Sequence, residues 1–211
     1  MALLIAIVWG LLRINRGPAK PSVSNLTAFE GYLSVWRRHQ PIEKLLGKPQ
    51  LDTPPPAAAE SDVYDYGVEG VLVLDEDRLV DLFVLNNFHA EQRVAVISKR
   101  GYPAYVMPRV QAVLADRPDL PVFVLHGSGV GAQMLPYQLR SLDLGIVDHP
   151  VIDLGWTGRD ISQVGRLEAL ADMGTGDGVA VDVLLPRRLF AVVAAAMAKR
   201  VPIAAFLGAD D

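Results

Sequence analysis

From Gly70 onward, the chain alternates short apolar runs with longer segments of mixed apolar and polar residues. The short runs read VLVL, RVAVIS, PVFVL, PVIDL and VAVDVLL, and a segment with helical spacing follows each of them. Continuous apolar strands that alternate with helices are typical of a parallel sheet buried on both faces. Pro108, Pro136 and Pro186 fit the first turns of three helices, where a missing N–H costs little. The pattern therefore predicts a doubly wound α/β domain with a mainly parallel sheet and helices on both faces.

The N-terminal segment is apolar and then cationic, since residues 2–12 carry no charge and Arg13, Arg16 and Lys20 follow. A helix of about 11–14 residues rises about 16–21 Å, which is short of the roughly 30 Å hydrocarbon core of a bilayer. A secretory signal would need positive charge before the apolar run and small residues after it. The sequence therefore favours a short membrane anchor over a signal peptide or a buried helix. The basic flank then places the bulk of the chain in the cytoplasm.

Three parts of the chain are predicted from these features. Residues 1–20 form the apolar helix, and residues 21–66 form a basic helical segment that ends in a linker with three consecutive prolines. Residues 67–211 form the α/β domain.

The composition excludes several kinds of site and partner. The chain has no cysteine, which excludes disulfides, thiolate metal sites and cysteine nucleophiles. Residues 13–50 carry seven Lys or Arg against two Glu, so the remainder holds about nine net negative charges within the total of −4. Because non-specific nucleic-acid binding depends on neutralising phosphates, the acidic bulk disfavours it. The favoured partner is an anionic membrane surface, contacted through residues 2–20, and no protein partner is identified.

Ligands of doubly wound folds bind beyond the carboxyl ends of the strands, so the residues after each apolar run are the candidate site. The loop after the third run reads HGSGVG and lacks the dinucleotide fingerprint, the Walker pattern and the nucleophile elbow. A glycine-rich turn used only for close packing explains it equally well. The residues that follow the five runs are Asp75 and Asp77; Ser98, Lys99, Arg100 and Tyr102; His126–Gly131; Trp156–Asp160; and Arg187 and Arg188.

Roles within this set follow from side-chain chemistry. A lone histidine at a strand end is more often a hydrogen-bonded structural residue than a base or ligand. The two cations after the second run fit either a phosphate contact or the exposed charges of a turn. The candidate catalytic residues are Asp75, His126 and Ser128, and the candidate phosphate ligands are Lys99, Arg100, Gly127, Gly129 and Gly131.

A family resemblance extends from Gly70 to about Leu142. The stretch GVLVLDEDRLVDLFVLNNFHAEQRVAVISKRGYPAYVMPRVQAVLADRPDLPVFVLHGSGVG, with its KRGYP turn, resembles the Toprim domain of type IIB topoisomerase A subunits. The resemblance implies a Rossmann-like sheet and places the family's first acidic residue at Asp75. It places the family's Asp-x-Asp pair at His126 and Ser128. Because Mg²⁺ prefers several oxygen anions, these two replacements imply a lost magnesium site, and we expect neither a metal nor a cofactor.

Two functions compete, and nucleic-acid binding without cleavage is a third, less favoured option. The first is a non-catalytic Toprim-like binding or scaffold module at the cytoplasmic face of a membrane. The second is a metal-independent phosphoester- or nucleotide-handling enzyme, with His126 as acid or base, Ser128 and the glycine amides around an oxyanion, and Lys99 on phosphate. Geometry separates them. An open pocket shared by His126, Ser128 and Asp75 favours the enzyme, and a histidine buried against a neighbouring carbonyl favours the scaffold.

Overall fold

The computed structural model describes residues 67–163 and 178–208, together with the single residue Val35. The strands in these ranges are β1 (Gly70–Leu74), β2 (Val94–Ser98), β3 (Val122–Leu125) and β4 (Val151–Asp153). They form one parallel sheet in the order β2-β1-β3-β4. The helices are α1 (Asp77–Leu85), α2 (Phe88–Glu91), α3 (Met107–Asp116), α4 (Val130–Gln133), α5 (Leu135–Gln138), α6 (Gly158–Gln163) and α7 (Pro186–Lys199), with 3-10 turns at Leu139–Ser141, Val181–Val183 and Ile203–Phe206.

Both faces of the sheet are buried, as the continuous apolar runs predict. Successive residues of β1 belong to different cores, with Leu72 and Leu74 on one side and Val71 and Val73 on the other. The first core contains the buried faces of α1 and α7, and the second contains those of α3 and α5. The doubly wound α/β fold is therefore confirmed.

Prolines mark the first turns of three helices, as the sequence predicts. Pro108, Pro136 and Pro186 lie at the first or second position of α3, α5 and α7. The amide hydrogen that proline lacks would have no partner within the helix there.

The predicted fifth strand, residues 179–185, is wrong. Its middle forms a 3-10 turn, Val181–Val183, and the described strands number four. The amide and carbonyl of Val179, which a strand would use for pairing, are bonded instead to Ser128 and Trp156 at the ends of β3 and β4. Residues 179–185 therefore lie across the edge of the sheet and do not extend it. We call them the crossing segment.

Other predictions fall outside the described residues. The apolar segment 1–20 does so, as does the segment 21–66 apart from Val35. Among residues 67–163 and 178–208, no helix is long and apolar enough to cross a bilayer.

Candidate functional site at the carboxyl ends of the strands

The strand order has a topological switch point at the carboxyl end of the sheet. The chain passes from β1 outward to β2 and then returns to β3 on the other side of β1. Ligand sites of open α/β sheets occur where the order reverses in this way. The loops that begin at Asp75 and His126 border this switch point, and the residues after β4 border His126 on its other side.

Asp75 is held by the backbone of the loop that follows β3. Its side chain is buried, and Oδ2 accepts a hydrogen bond from the amide of Gly127 at 3.2 Å. Asp75 and Gly127 are 52 residues apart in sequence, so this contact depends on the pairing of β1 with β3. The carboxylate thus ties together the ends of these two strands.

His126 is enclosed between the strand ends and is only 2 % exposed. Nδ1 lies 2.7 Å from the carbonyl oxygen of Gly127. Because a carbonyl only accepts hydrogen bonds, Nδ1 must carry the proton in the neutral ring. Nε2 lies 3.1 Å from Oδ1 of Asp153, although that oxygen is not in line with a ring N–H. Nδ1 is therefore held by its own loop, and Nε2 faces β4, where the protonated ring forms an ion pair with Asp153.

The environment of His126 shifts its pKa in opposing directions. Burial by itself lowers the pKa, because it disfavours the charged ring. The Asp153 carboxylate, the Gly127 carbonyl and the charge of Asp75 act against burial and raise the pKa above its ordinary value. The protonated ring is consequently stabilised inside the fold by two carboxylates and a carbonyl.

Ser128 holds the crossing segment in place through two hydrogen bonds to Val179. Its Oγ accepts a hydrogen bond from the amide of Val179 at 2.8 Å, and its own amide donates to the Val179 carbonyl at 2.9 Å. The indole Nε1 of the buried Trp156 donates to the same carbonyl at 3.0 Å. Within the residues described, no hydrogen bond joins His126 to Ser128. The arrangement therefore lacks the nucleophile–base contact of a Ser–His pair.

Close packing accounts for two glycines at this edge. A Cβ on Gly127 would lie 2.7 Å from the carbonyl oxygen of Val179. A Cβ on Gly155, the second residue after β4, would collide with the imidazole ring of His126. The amides of Gly127 and Ser128 already donate to protein acceptors, so the loop offers fewer free amides to an anion than its sequence suggests.

Lys99 and Arg100 lie at the other end of this edge. β2 is separated from β3 by β1, which places their loop about 10 Å from the end of β3 at ordinary strand spacing. The loop is organised locally by Ser98, whose Oγ accepts hydrogen bonds from the amides of Arg100 and Tyr102. The Arg100 guanidinium pairs with Asp77 at 3.4 Å. The structure therefore does not bring the two cations together with His126 and Ser128.

The KRGYP turn has a structural role of its own. The Tyr102 hydroxyl donates a 2.6 Å hydrogen bond to the carboxylate of Asp81, a buried residue of α1. Since hydrogen bonds to charged groups are the stronger ones, this contact fixes the turn against α1.

Two residues of this edge were missed by the sequence analysis: Asp153 ends β4, and Gly155 is the second residue after it. Asp153 lies within the apolar run PVIDL, where a carboxylate at the end of a strand is the signal that could have found it. Gly155 carries no signal of its own, because its role depends on the approach of His126.

The remaining predicted edge residues lie at the starts of two helices. Asp160 receives hydrogen bonds from the amide and hydroxyl of Thr157 and donates its own amide back to Thr157, which is a capping box at the start of α6. Arg187 and Arg188 lie in the first turn of α7 and follow the crossing segment instead of a strand.

In the part of the chain that the structure describes, no three His, Asp or Glu side chains are grouped so as to hold a metal ion. Comparison with known proteins adds no assignment, since no family model, curated protein or solved structure matches the chain.

Proposed function

We propose that residues 67–211 form a Toprim-like binding or scaffold module that works without a magnesium site. In this proposal the module is held at the cytoplasmic face of a membrane by residues 1–20 and the basic segment that follows. The supporting observation is the burial of His126 against the Gly127 carbonyl, with Asp153 beside its second nitrogen.

The positions that the Toprim resemblance aligns with metal ligands have protein partners. Asp75 accepts from the Gly127 amide, His126 bridges to β4, and Ser128 binds Val179. A hard cation such as Mg²⁺ would have to compete with these contacts, and it would find an imidazole and a hydroxyl where carboxylates are expected. These contacts support a module whose strand-end loops stabilise the fold.

The catalytic alternative has less support. It requires His126 to exchange a proton with a substrate or with Ser128, and His126 is enclosed. It also requires Lys99 to act on the same substrate, while the strand order places Lys99 two strands away. A hydrolysis assay with a generic phosphomonoester, compared between wild type and His126→Gln, tests this alternative directly.

The central test is an assay for magnesium-dependent cleavage or relaxation of supercoiled DNA. We expect no activity at millimolar Mg²⁺ and no Mg²⁺ binding by titration calorimetry. Activity that Asp75→Ala abolishes would overturn the proposal.

Membrane attachment has a separate test. The full-length chain should pellet with anionic liposomes, and neutralising Arg13, Arg16, Arg37 and Arg38 should weaken pelleting, because each basic residue near an anionic surface contributes about 1 kcal/mol. Pelleting that does not change with these substitutions would contradict the electrostatic part of the proposal.

A further inference from the structure

We propose that His126 is a proton-operated latch, which holds the crossing segment closed over the switch point while its ring is protonated and loosens that segment when the ring loses the proton. The latch consists of His126, Asp153, Trp156 and Val179. The inference adds regulation to the edge of the sheet, and it rests on the proposed function only in taking that edge to work without a metal ion.

Both nitrogens of the His126 ring face acceptors. Nδ1 lies 2.7 Å from the Gly127 carbonyl oxygen, and Nε2 lies 3.1 Å from Oδ1 of Asp153. A neutral imidazole carries one proton and one lone pair, so it donates to one of these oxygens and turns its lone pair towards the other. Only the protonated ring is attracted to both. The closed junction is therefore the form that binds the proton.

The charges around the ring come from the two neighbouring strands. Burial lowers the pKa of His126, whereas Asp153 of β4, a backbone carbonyl and Asp75 at the end of β1 raise it above its ordinary value. The acid of the crossing segment, Asp182, pairs instead with Arg78 at 3.3 Å. Because the pKa is raised, the junction is closed at pH values where an ordinary histidine has begun to lose its proton, and it loosens as the pH rises further.

When the proton is lost, the carboxylate and not the ring has room to move. The ring is 2 % exposed, and a Cβ on Gly155 would already collide with it. The Asp153 side chain is 48 % exposed, so water can replace the ring as its partner. Oδ1 of Asp153 also accepts a hydrogen bond from the Gly155 amide at 2.8 Å. Movement of the carboxylate therefore frees the residues that follow β4.

Trp156 connects this movement to the crossing segment. Its amide donates to the His126 carbonyl at 3.4 Å, and its indole Nε1 donates to the Val179 carbonyl at 3.0 Å. The side chain is fully buried, so Trp156 cannot shift without disturbing one of these contacts. Loss of the ion pair between His126 and Asp153 therefore weakens the hold on Val179 through a continuous series of contacts.

The Val179 amide reports on the latch, because it is buried and donates to Oγ of Ser128 at 2.8 Å. Hydrogen exchange of this amide is measured by NMR on the full-length chain in EDTA and is corrected at each pH for the intrinsic exchange rate. We expect its protection factor to fall at least about fivefold as the pH rises through the titration of His126. A factor that does not change with pH would overturn the latch.

Urea separates opening of the latch from unfolding of the domain. The Val179 amide should exchange faster than the amide of Val110, a buried residue of α3 in the opposite core, and should respond little to low urea. If the two amides share one protection factor and one urea dependence, the crossing segment opens only with the whole domain and the latch is refuted.

Two variants identify the group that binds the proton. His126→Gln removes the titrating ring and should abolish the pH step, and Asp153→Asn removes the facing charge and should move the step to lower pH. Asp182→Asn is the matched control, because it removes a carboxylate from the crossing segment and leaves the contacts of the ring intact. Its step should stay at the wild-type pH. A step that persists in His126→Gln, or that moves equally in both aspartate variants, would contradict the latch.

NMR of the imidazole nitrogens gives a measurement that does not depend on exchange, since His126→Gln identifies the ring among the four histidines. The neutral ring should carry its proton on Nδ1, and a proton on Nε2 would refute the proposed contacts. The same titration in Mg²⁺ separates this inference from the proposed function. If Mg²⁺ moves the titration of His126, the metal-free module fails. If His126 titrates alike with and without Mg²⁺ but Val179 does not respond, the latch fails and the proposed function stands.

Discussion

The contact between Gly155 and His126 makes a sharp prediction about the substitution Gly155→Ala. The backbone of Gly155 has a conformation that alanine can adopt, so a methyl group adds no backbone strain. The methyl carbon would nevertheless collide with Cε1, Nε2 and Cδ2 of the His126 ring. The ring has little freedom to withdraw, because it is 2 % exposed and Nδ1 is held 2.7 Å from the Gly127 carbonyl.

The expected magnitude follows from this geometry. Overpacking a well-packed interior costs about 1–3 kcal/mol, and displacement of the ring also disturbs its contact with Asp153. We therefore expect Gly155→Ala to lower the free energy of unfolding by about 2–3 kcal/mol. In a His126→Ala background the obstacle is absent, and the same substitution should cost less than about 0.5 kcal/mol. The double-mutant cycle should give an interaction energy of about 2 kcal/mol.

Urea denaturation of the four proteins, followed by circular dichroism, measures this cycle. Gly131→Ala is the matched control, because no atom lies within 4 Å of its added methyl and it sits inside α4. That substitution should leave stability unchanged or raise it by up to about 1 kcal/mol. Additive effects of Gly155→Ala and His126→Ala would refute the reasoning. They would mean that the imidazole moves freely, which favours the catalytic alternative.

Three further predictions concern the same edge of the sheet. Burial lowers the pKa of His126, but Asp153 and other acceptors raise it overall. The protonated ring therefore stabilises the fold fully below about pH 6.5, and this contribution is lost as the pH rises further. The free energy of unfolding should therefore fall more steeply above that pH in wild type than in Asp153→Asn, as urea titrations at several pH values will show; equal slopes would contradict this. Ser128→Ala removes the acceptor for the buried Val179 amide and should destabilise the fold by about 1–2 kcal/mol, which a thermal melt identical to wild type would disprove. Tyr102→Phe removes a donor to a buried carboxylate and should cost about 1.5–3 kcal/mol by urea denaturation, whereas a loss below about 0.5 kcal/mol would show that the bond is dispensable.

The sheet could be predicted because its signal is local. Each apolar run is long enough to bury both faces of one strand, and the alternation of Leu72 and Val73 between two cores is the expected result. The prolines marked helix starts for an equally local reason. Residues 179–185 show where this reasoning stops. Their pattern matches that of a strand, but the polar atoms of Val179 are bonded to residues 51 and 23 positions away in sequence.

The candidate site was predictable only in part. The rule that strand ends converge placed Asp75, His126 and Ser128 at one edge, because it depends on the parallel arrangement and not on individual contacts. The same rule could not tell the loops at the switch point, after β1 and β3, from the loop after the outer strand β2. Lys99 and Arg100 were therefore grouped with Asp75, His126 and Ser128. Strand order separates these two sets, and order depends on how the faces of different strands and helices pack together.

The periodicity of apolar residues is carried by neighbouring positions, and it was sufficient to specify parallel strands, covering helices and the edge at which polar residues gather. The partners of those polar residues were decided by packing between distant segments. Tertiary structure placed Asp153 and Gly155 against the His126 ring and Val179 on Ser128. The same loop sequence could serve as an open pocket or as a closed junction. Only the approach of β4 and the crossing segment selects the closed form, because burial and hydrogen bonding depend on atoms that are remote in the chain.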